Sequence, residues 1–147
     1  MNLPAATNKK DMAVSHQEVK HILAAVETEG AELGEMALAT VVEVEGSAYR
    51  RTGARMLIRQ NGRWTGTISG GCLEGDALRR AREVVRAGVP QRVTYDTRTD
   101  ESAKQLGASL GCNGLIEVWI EPLLGFGALD LLQRLKTAAF ADAGLWI

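Results

Sequence analysis

The run Ile68-Ser69-Gly70-Gly71-Cys72-Leu73-Glu74-Gly75 constrains this chain more than any other stretch. An apolar strand ends there, two glycines turn the chain, and an amphipathic helix begins. Trp64 to Ser69 reads as the strand. Leu73, Ala77, Leu78, Ala81, Val84 and Val85 then put one apolar face on a helix from Leu73 to Ala87. Gly88 and Pro90 end that helix, since glycine accepts left-handed backbone and proline cannot extend a helix.

The remaining elements follow from the same kind of patterning. Ser15 and Glu18 form a capping-box pair at the start of a helix running to Gly30, with Val19, Ile22, Leu23 and Val26 on its apolar face. Met36 to Glu45 reads as a strand in which Thr40, Val42 and Val44 alternate against Glu43 and Glu45. Arg55 to Arg59 is a short strand, and Asn61-Gly62 is a hairpin signal between it and the strand from Trp64. Arg92 to Thr97 is a strand, and Asp100 caps a short helix through Leu106. Leu115 to Glu121 is a strand stopped by Pro122. Ala128 to Ala143 is a helix with Leu129, Leu132 and Leu135 in its stripe.

This order predicts one α/β (α+β) domain with a mixed β-sheet packed by helices. Residues 1–14 are expected to be a disordered lead-in and 15–147 the domain. Leu145-Trp146-Ile147 reads as the first residues of a further strand. That is the expectation for a chain cut from a longer one, and such a strand start would permit pairing into a homodimer.

At 147 residues, 46% hydrophobic and 24% charged, the composition suits a soluble protein with one core. No run of about 18 apolar residues marks a membrane span, and the first residues have no apolar leader core. Two cysteines without a targeting segment point to a reducing, cytoplasmic setting. The net charge of −1 hides an asymmetry: residues 1–45 carry −5, 46–100 carry +6, and 101–147 carry −2. All eleven positive charges of the middle segment are arginines, whose planar guanidinium groups suit phosphate or carboxylate. Arg79, Arg80, Arg82 and Arg86 share one helix and are expected to be largely a solvated face. Near-neutral charge without an aromatic-and-basic platform argues against nucleic acid.

Three motifs could carry chemistry. In the first, Gly70 and Gly71 aim backbone N–H groups at the N-terminus of a helix, where anions and a Cys72 thiolate are favoured. Ser69 either caps the helix or bonds a ligand, and Glu74 either complements the helix dipole or joins the site. Cys72 is a candidate nucleophile, soft metal ligand or sulfur carrier, against the alternative of a small buried hydrophobe. The second motif, Leu110-Gly111-Cys112-Asn113-Gly114, sets the other cysteine in a glycine-framed turn before a strand. If both turns lie at one sheet edge, the thiols could form a disulfide, bind a soft metal such as molybdenum or copper, or relay sulfur. No CxxC is present, so neither a structural zinc site nor a thioredoxin-like motif is supported. The third motif, Glu45 to Met56 (EGSAYRRTGARM), is a loop in which Ser47, Arg50 and Arg51 could clamp a phosphate. His16 and His21 are expected on the surface.

EGSAYRRTGARM, ISGGCLEG, LGCNG and IEPL (Ile120 to Leu123), in this order and spacing, resemble the N-terminal domain of the XdhC/CoxI family, the xanthine dehydrogenase accessory factors. The resemblance covers roughly residues 17 to 123. Tyr49 stands where the family usually has proline, and Asn113 where it has glycine, though asparagine also tolerates left-handed backbone. The Rossmann-type domain of larger members has no counterpart here, with no second βαβ unit and no GxGxxG.

The resemblance implies a chaperone that binds molybdenum cofactor (molybdopterin) transiently, supports its sulfuration and delivers it to a molybdenum hydroxylase. A cysteine desulfurase is an implied second partner. Cys72 and Cys112 match the family's two cysteine positions and are the candidates for contact with molybdenum. The cofactor-binding set is then Ser47, Arg50, Arg51, Ser69, Gly70, Gly71, Cys72, Glu74, Gly111, Cys112, Asn113 and Gly114. The alternatives are a thiol-dependent sulfur transferase or oxidoreductase using Cys72 or Cys112, and a non-catalytic interaction module. The absence of an evident Cys–His pairing argues against hydrolytic thiol catalysis.

Overall fold

The computed structural model describes residues 9–28, 36–47, 52–69, 71, 73–96, 98, 113–123, 133–134 and 137, with only the backbone described at 9–16, 47 and 113. Among the described residues the elements follow one another as α1 (Lys9–Thr28), β1 (Met36–Ser47), β2 (Arg55–Ile58), β3 (Trp64–Gly66), α2 (Glu74–Ala87), β4 (Gln91–Asp96) and β5 (Asn113–Leu123). The sheet order is β3-β2-β1-β5-β4. The α+β class holds, but the four pairings are all antiparallel, so the sheet is not the mixed one expected. The longest pairing joins β1 to β5, two strands separated in sequence by a hairpin, a helix and β4.

α2 leaves the β3 edge and crosses one face of the sheet to reach β4 at the other edge, packing on β1 and β5. Its inner side is small: Ala77, Ala81 and Val84 are buried against Ala39, Val41, Met56, Val118 and Ile120. Alanines let the helix axis come close to the strands, so the larger residues of the sheet fill the layer. Gly88 ends α2 in left-handed backbone (φ 70°), its N–H donating to Val84 O at 2.8 Å. α1 covers part of the opposite face, over β2 and β3 and the adjoining ends of β1 and β5, where Val19, Ile22 and Val26 pack on Met36, Leu38, Leu57 and Leu123. Each such buried side chain contributes roughly 1.5–3 kcal/mol.

Several local expectations change. α1 begins at Lys9, so Lys9 to Val14, read as lead-in, are helical, and Ser15 lies inside the helix instead of capping it. Glu18 is therefore no cap partner. It is buried, and its Oε1 accepts Arg55 N–H at 3.0 Å and Thr67 N–H at 3.5 Å, pinning α1 to the strands beneath. The alternation read in β1 is broken because Val42 is the extra residue of a bulge between Val41 and Glu43. Ala37, Ala39 and Val41 face α2, and after the bulge it is Val44 that packs on that side. Pro122 does not stop β5, which runs to Leu123. It pairs with Ala37 beyond Ile120, the last residue of β5 opposite β4. A proline fits there because its missing donor faces the unpaired side.

The hairpin at Asn61-Gly62 has a three-residue loop: Arg59 N–H donates to Arg63 O at 2.9 Å and Gly62 N–H to Arg59 O at 3.0 Å, with Gly62 at φ 88°. That is the bulged form and not the two-residue turn. β3 ends at Gly66, short of Ser69. Of the helix expected over 128–143, Gln133, Arg134 and Thr137 are helical and the rest lies outside the described residues, as does the short helix expected from Asp100. No helix among the described residues is long and apolar enough to cross a membrane.

Candidate functional site

The turn between β3 and α2 is built around one carboxylate. Glu74, the first residue of α2, is 2% exposed and folds back over its own loop. Oε1 accepts from Thr67 Oγ1 at 2.5 Å, Ile68 N at 3.1 Å and Ser69 N at 2.9 Å. Oε2 accepts from Ser69 Oγ at 2.6 Å, Gly71 N at 2.9 Å and Leu73 N at 3.2 Å. Burial alone would push this carboxyl up. The hydroxyls of Ser69 and Thr67 and the loop amides outweigh it and hold the pKa down at about 2. Glu74 is thus a buried anion with its lone pairs filled by the turn that precedes it.

The sequence reading aims the backbone N–H groups of this glycine turn at an external anion, but the amides of Ile68, Ser69, Gly71 and Leu73 donate to the chain's own carboxylate. Ser69 does not cap α2 in the ordinary sense. Leu73 occupies the cap position with no side-chain bond to the helix, while Ser69 Oγ accepts Leu73 N–H at 2.9 Å and braces the turn. Gly71 sits at φ 126° with open space where a side chain would begin, so glycine is there for its backbone. The residues on both sides of Cys72 are tied to Glu74 Oε2.

Strand register brings the other two motifs together. Gly46 pairs with Gly114 and Ser47 with Asn113, so the third motif's loop leaves β1 where the second motif enters β5. Asp96 pairs with Leu115 at the same end of the sheet. Ile68 and Leu73, which flank the Glu74 turn, share a core with Val41, Ala54, Tyr95 and Ile116, and that core lays the α2 N-terminus over this end. Arg50, Arg51, Gly70, Cys72, Gly111 and Cys112 lie outside the described residues. His21 is exposed, as expected. Among the described residues no group of three or more His, Cys, Asp or Glu could hold a metal.

Some polar residues here were not anticipated. Thr67, read as plain strand, donates the shortest bond to Glu74. Tyr95 is buried, and its hydroxyl lies beside Asp76 in the first turn of α2. Tyr95 Oη, Asp76 Oδ2 and Arg80 Nε are all buried without a hydrogen-bond partner, and Arg80 Nε stands 3.6 Å from Asp76 Oδ2. Burial pushes the Tyr95 hydroxyl far up, and the Asp76 charge adds to it. Burial also opposes ionisation of Asp76, but the nearby Tyr95 hydroxyl and the Arg79 guanidinium hold its carboxyl below the usual range. The Tyr95–Asp76 approach is electrostatic and lacks hydrogen-bond geometry. The only sequence signal for this trio was a tyrosine on the inner parity of β4.

On the opposite face, Arg92 pairs with both Glu117 and Glu43. The hydrogen bond with Glu117 raises Glu43, whereas the Arg92 guanidinium lowers Glu117. Arg98 pairs with Asp96 at 2.9 Å and Glu45 at 3.4 Å. Both arginines of this rim are thus paired within the chain, and the four carboxylates around them leave the rim net acidic.

Fold and turn together define an antiparallel α+β domain with a carboxylate-locked glycine–cysteine turn at one end of its sheet. Residues 31–96 match the XdhC and CoxI family. The chain is 42% identical over 87 residues to a probable xanthine dehydrogenase subunit of Bacillus subtilis (strain 168), covering 59% of this chain and 26% of that protein. It is 35% identical over 100 residues to the molybdenum cofactor insertion chaperone PaoD of Escherichia coli (strain K12), covering 67% of this chain and 30% of the relative. A crystal structure described as a xanthine dehydrogenase from Bacillus halodurans superposes with a TM-score of 0.62 at 36% identity, over 80% of this chain and 33% of that one. The chain thus spans a quarter to a third of the length of these relatives.

Proposed function

We propose that this domain binds molybdenum cofactor and holds it for sulfuration and insertion into a molybdenum hydroxylase. The observation that carries the reading is the register pairing Gly46–Ser47 with Asn113–Gly114 beside the α2 turn. It draws the flanks of all three motifs to one end of the sheet. The insertion-chaperone name of the Escherichia coli relative supports the same reading.

The donor set fits the cofactor with one reassignment. Four amides of the turn already serve Glu74, so the pterin phosphate falls to Arg50, Arg51 and Ser47, whose fork-like and hydroxyl donors suit it. Cys72 and Cys112 offer soft thiolates to the metal. Ser69, Gly70, Gly71, Gly111, Asn113 and Gly114 shape the walls. Glu74 acts from behind, fixing the backbone on either side of Cys72. Bound there, the cofactor supplies the molybdenum centre and its exchangeable oxo or sulfido ligand, and the chain's part is to hold, shield and release it. A cysteine desulfurase as sulfur source, a homodimer as the working form and a cytoplasmic location complete the proposal.

The test is anaerobic incubation with isolated molybdenum cofactor, then gel filtration and metal analysis of wild type, Cys72→Ser and Cys112→Ser. Co-elution of molybdenum with wild type and its loss from either variant is the expected result. If wild type retains none where a known carrier does, this domain is not the cofactor binder.

A further inference from the structure

A cavity of about 440 Å³ opens between the second half of α2 and the β2–β3 hairpin. Its floor is apolar, formed by Ala37, Ile58, Ala81 and Val85, and three arginines, Arg59, Arg82 and Arg86, stand around it. Ala37 lies near the start of β1, and Ser47 ends it. At 1.5 Å per residue Arg82 and Arg86 stand roughly 12–18 Å along α2 from Glu74 and the cysteine turn, so the groove is a separate feature.

The arginines of α2 divide into two kinds. Arg79 pairs with Asp76 at 2.9 Å and with Glu83 at 3.2 Å, and Arg80 stands 3.6 Å from Asp76. Arg82 and Arg86 make no ion pair among the described residues. Arg82 Nη2 reaches within 3.8 Å of where a Cβ on Gly62 would stand, so it leans toward the hairpin. On the facing wall Arg59 is steadied by a 2.9 Å bond from its Nη2 to Thr65 Oγ1. The negative end of a helix dipole accounts for one cation in the last turn, Arg86. It does not account for three guanidiniums around one apolar floor.

We propose that this groove binds an extended acidic peptide segment of a partner protein. Arg82 and Arg86 are one helical turn apart, about 6 Å between neighbouring side chains. Carboxylates at alternate positions of an extended chain are spaced by roughly 6.6 Å. Two such carboxylates meet Arg82 and Arg86, and the side chain between them turns to the wall of Arg59 and Ile58. Arg82 and Arg86 are exposed at the rim of an open groove. That suits a chain passing through better than a small phosphorylated molecule, which binding sites mostly enclose. The proposal stands apart from the cofactor reading, and either can fail alone.

The experiment measures fluorescence anisotropy of a labelled octapeptide alternating Glu and Val, with a Gln-for-Glu peptide as control, on the full chain. The Glu peptide is expected to saturate, and the Gln peptide is not. Arg82→Gln/Arg86→Gln should weaken binding at least about tenfold, and Arg92→Gln/Arg98→Gln, with the same change in net charge, should leave it unchanged. Thermal melting checks that both double variants fold. If the groove variant melts early, the conservative Arg82→Lys/Arg86→Lys pair replaces it and should weaken binding by a smaller factor, since lysine keeps charge but loses the fork. Absence of saturable binding overturns the proposal, as does equal loss in both double variants. Displacement by inorganic pyrophosphate at equal concentration also overturns it, making the groove a small-anion site.

Discussion

A single carboxylate carries an unusual share of this fold. The Glu74 pKa falls from 4.5 to about 2 on folding, so its ionised form is the one the native turn prefers. Its contribution, on the order of 3 kcal/mol, is present above the unfolded value and is lost as pH falls from about 4.5 through about 2. Glu74→Gln would bring an amide donor into a nest of donors. It should lower stability at neutral pH by about 2–4 kcal/mol, and the variant should lose less than wild type on further acidification, as read by urea unfolding across that range. If the two proteins lose stability in parallel, the turn is not held by the Glu74 charge. Tyr95 presents the opposite case, a buried hydroxyl beside Asp76 that makes no hydrogen bond among the described residues. Tyr95→Phe should leave stability unchanged or raise it by about 1 kcal/mol, and a clear loss would show that the hydroxyl has a partner such as an ordered water.

Among the elements, the joint where β3 leaves the sheet is the tightest. Gly66 has φ 83°, and a Cβ there would stand 2.3 Å from Arg55 O and 3.0 Å from Glu18 Oε1. Gly66→Ala should therefore destabilise by more than about 2 kcal/mol. Gly53, at φ 95° with open space around it, should lose only about 1–2 kcal/mol on the same change, from backbone strain. Thermal unfolding of the pair separates the two causes, and equal losses would refute the clash. α1, α2, the hairpin and the glycine turn before α2 were legible because periodicity and turn chemistry are local signals. What was not legible is what depends on partners far along the chain. Glu18 imitates a capping residue at three-residue spacing, yet it bonds Arg55 and Thr67 across the fold. The bulge at Val42 keeps valines in a regular alternation on paper while switching their face. In the candidate site, the sequence named Ser69 and Glu74 as a helix cap, a dipole complement or ligand contacts, but not as partners of each other. Adjacent residues bonding each other's backbone leave no periodic trace.

Among the described residues the sheet is built on its two long strands, β1 and β5, with the shorter β2 also internal and β3 and β4 at the edges. Amide exchange should be slowest at Ala39, Val41, Val118 and Ile120, which are fully buried, and fastest in β3 and β4, which edge the sheet. Uniform protection across the strands would contradict this ordering. Among the described residues α1 covers half of the face away from α2, over β2, β3, the start of β1 and the end of β5, and leaves the other half open. Trp119, 36% exposed on β5, stands on the uncovered half opposite Arg92 and Thr40.

α2 spans the sheet as a rod of 14 residues, about 20 Å long. One end is clasped by the six bonds of Glu74, and the other half walls the arginine groove. A helix does not compress or stretch to take up a push on one end. It tilts as a lever, with the small alanines of its inner side as the fulcrum. The same rigid element thus joins the turn that carries Cys72 to the wall of the arginine groove.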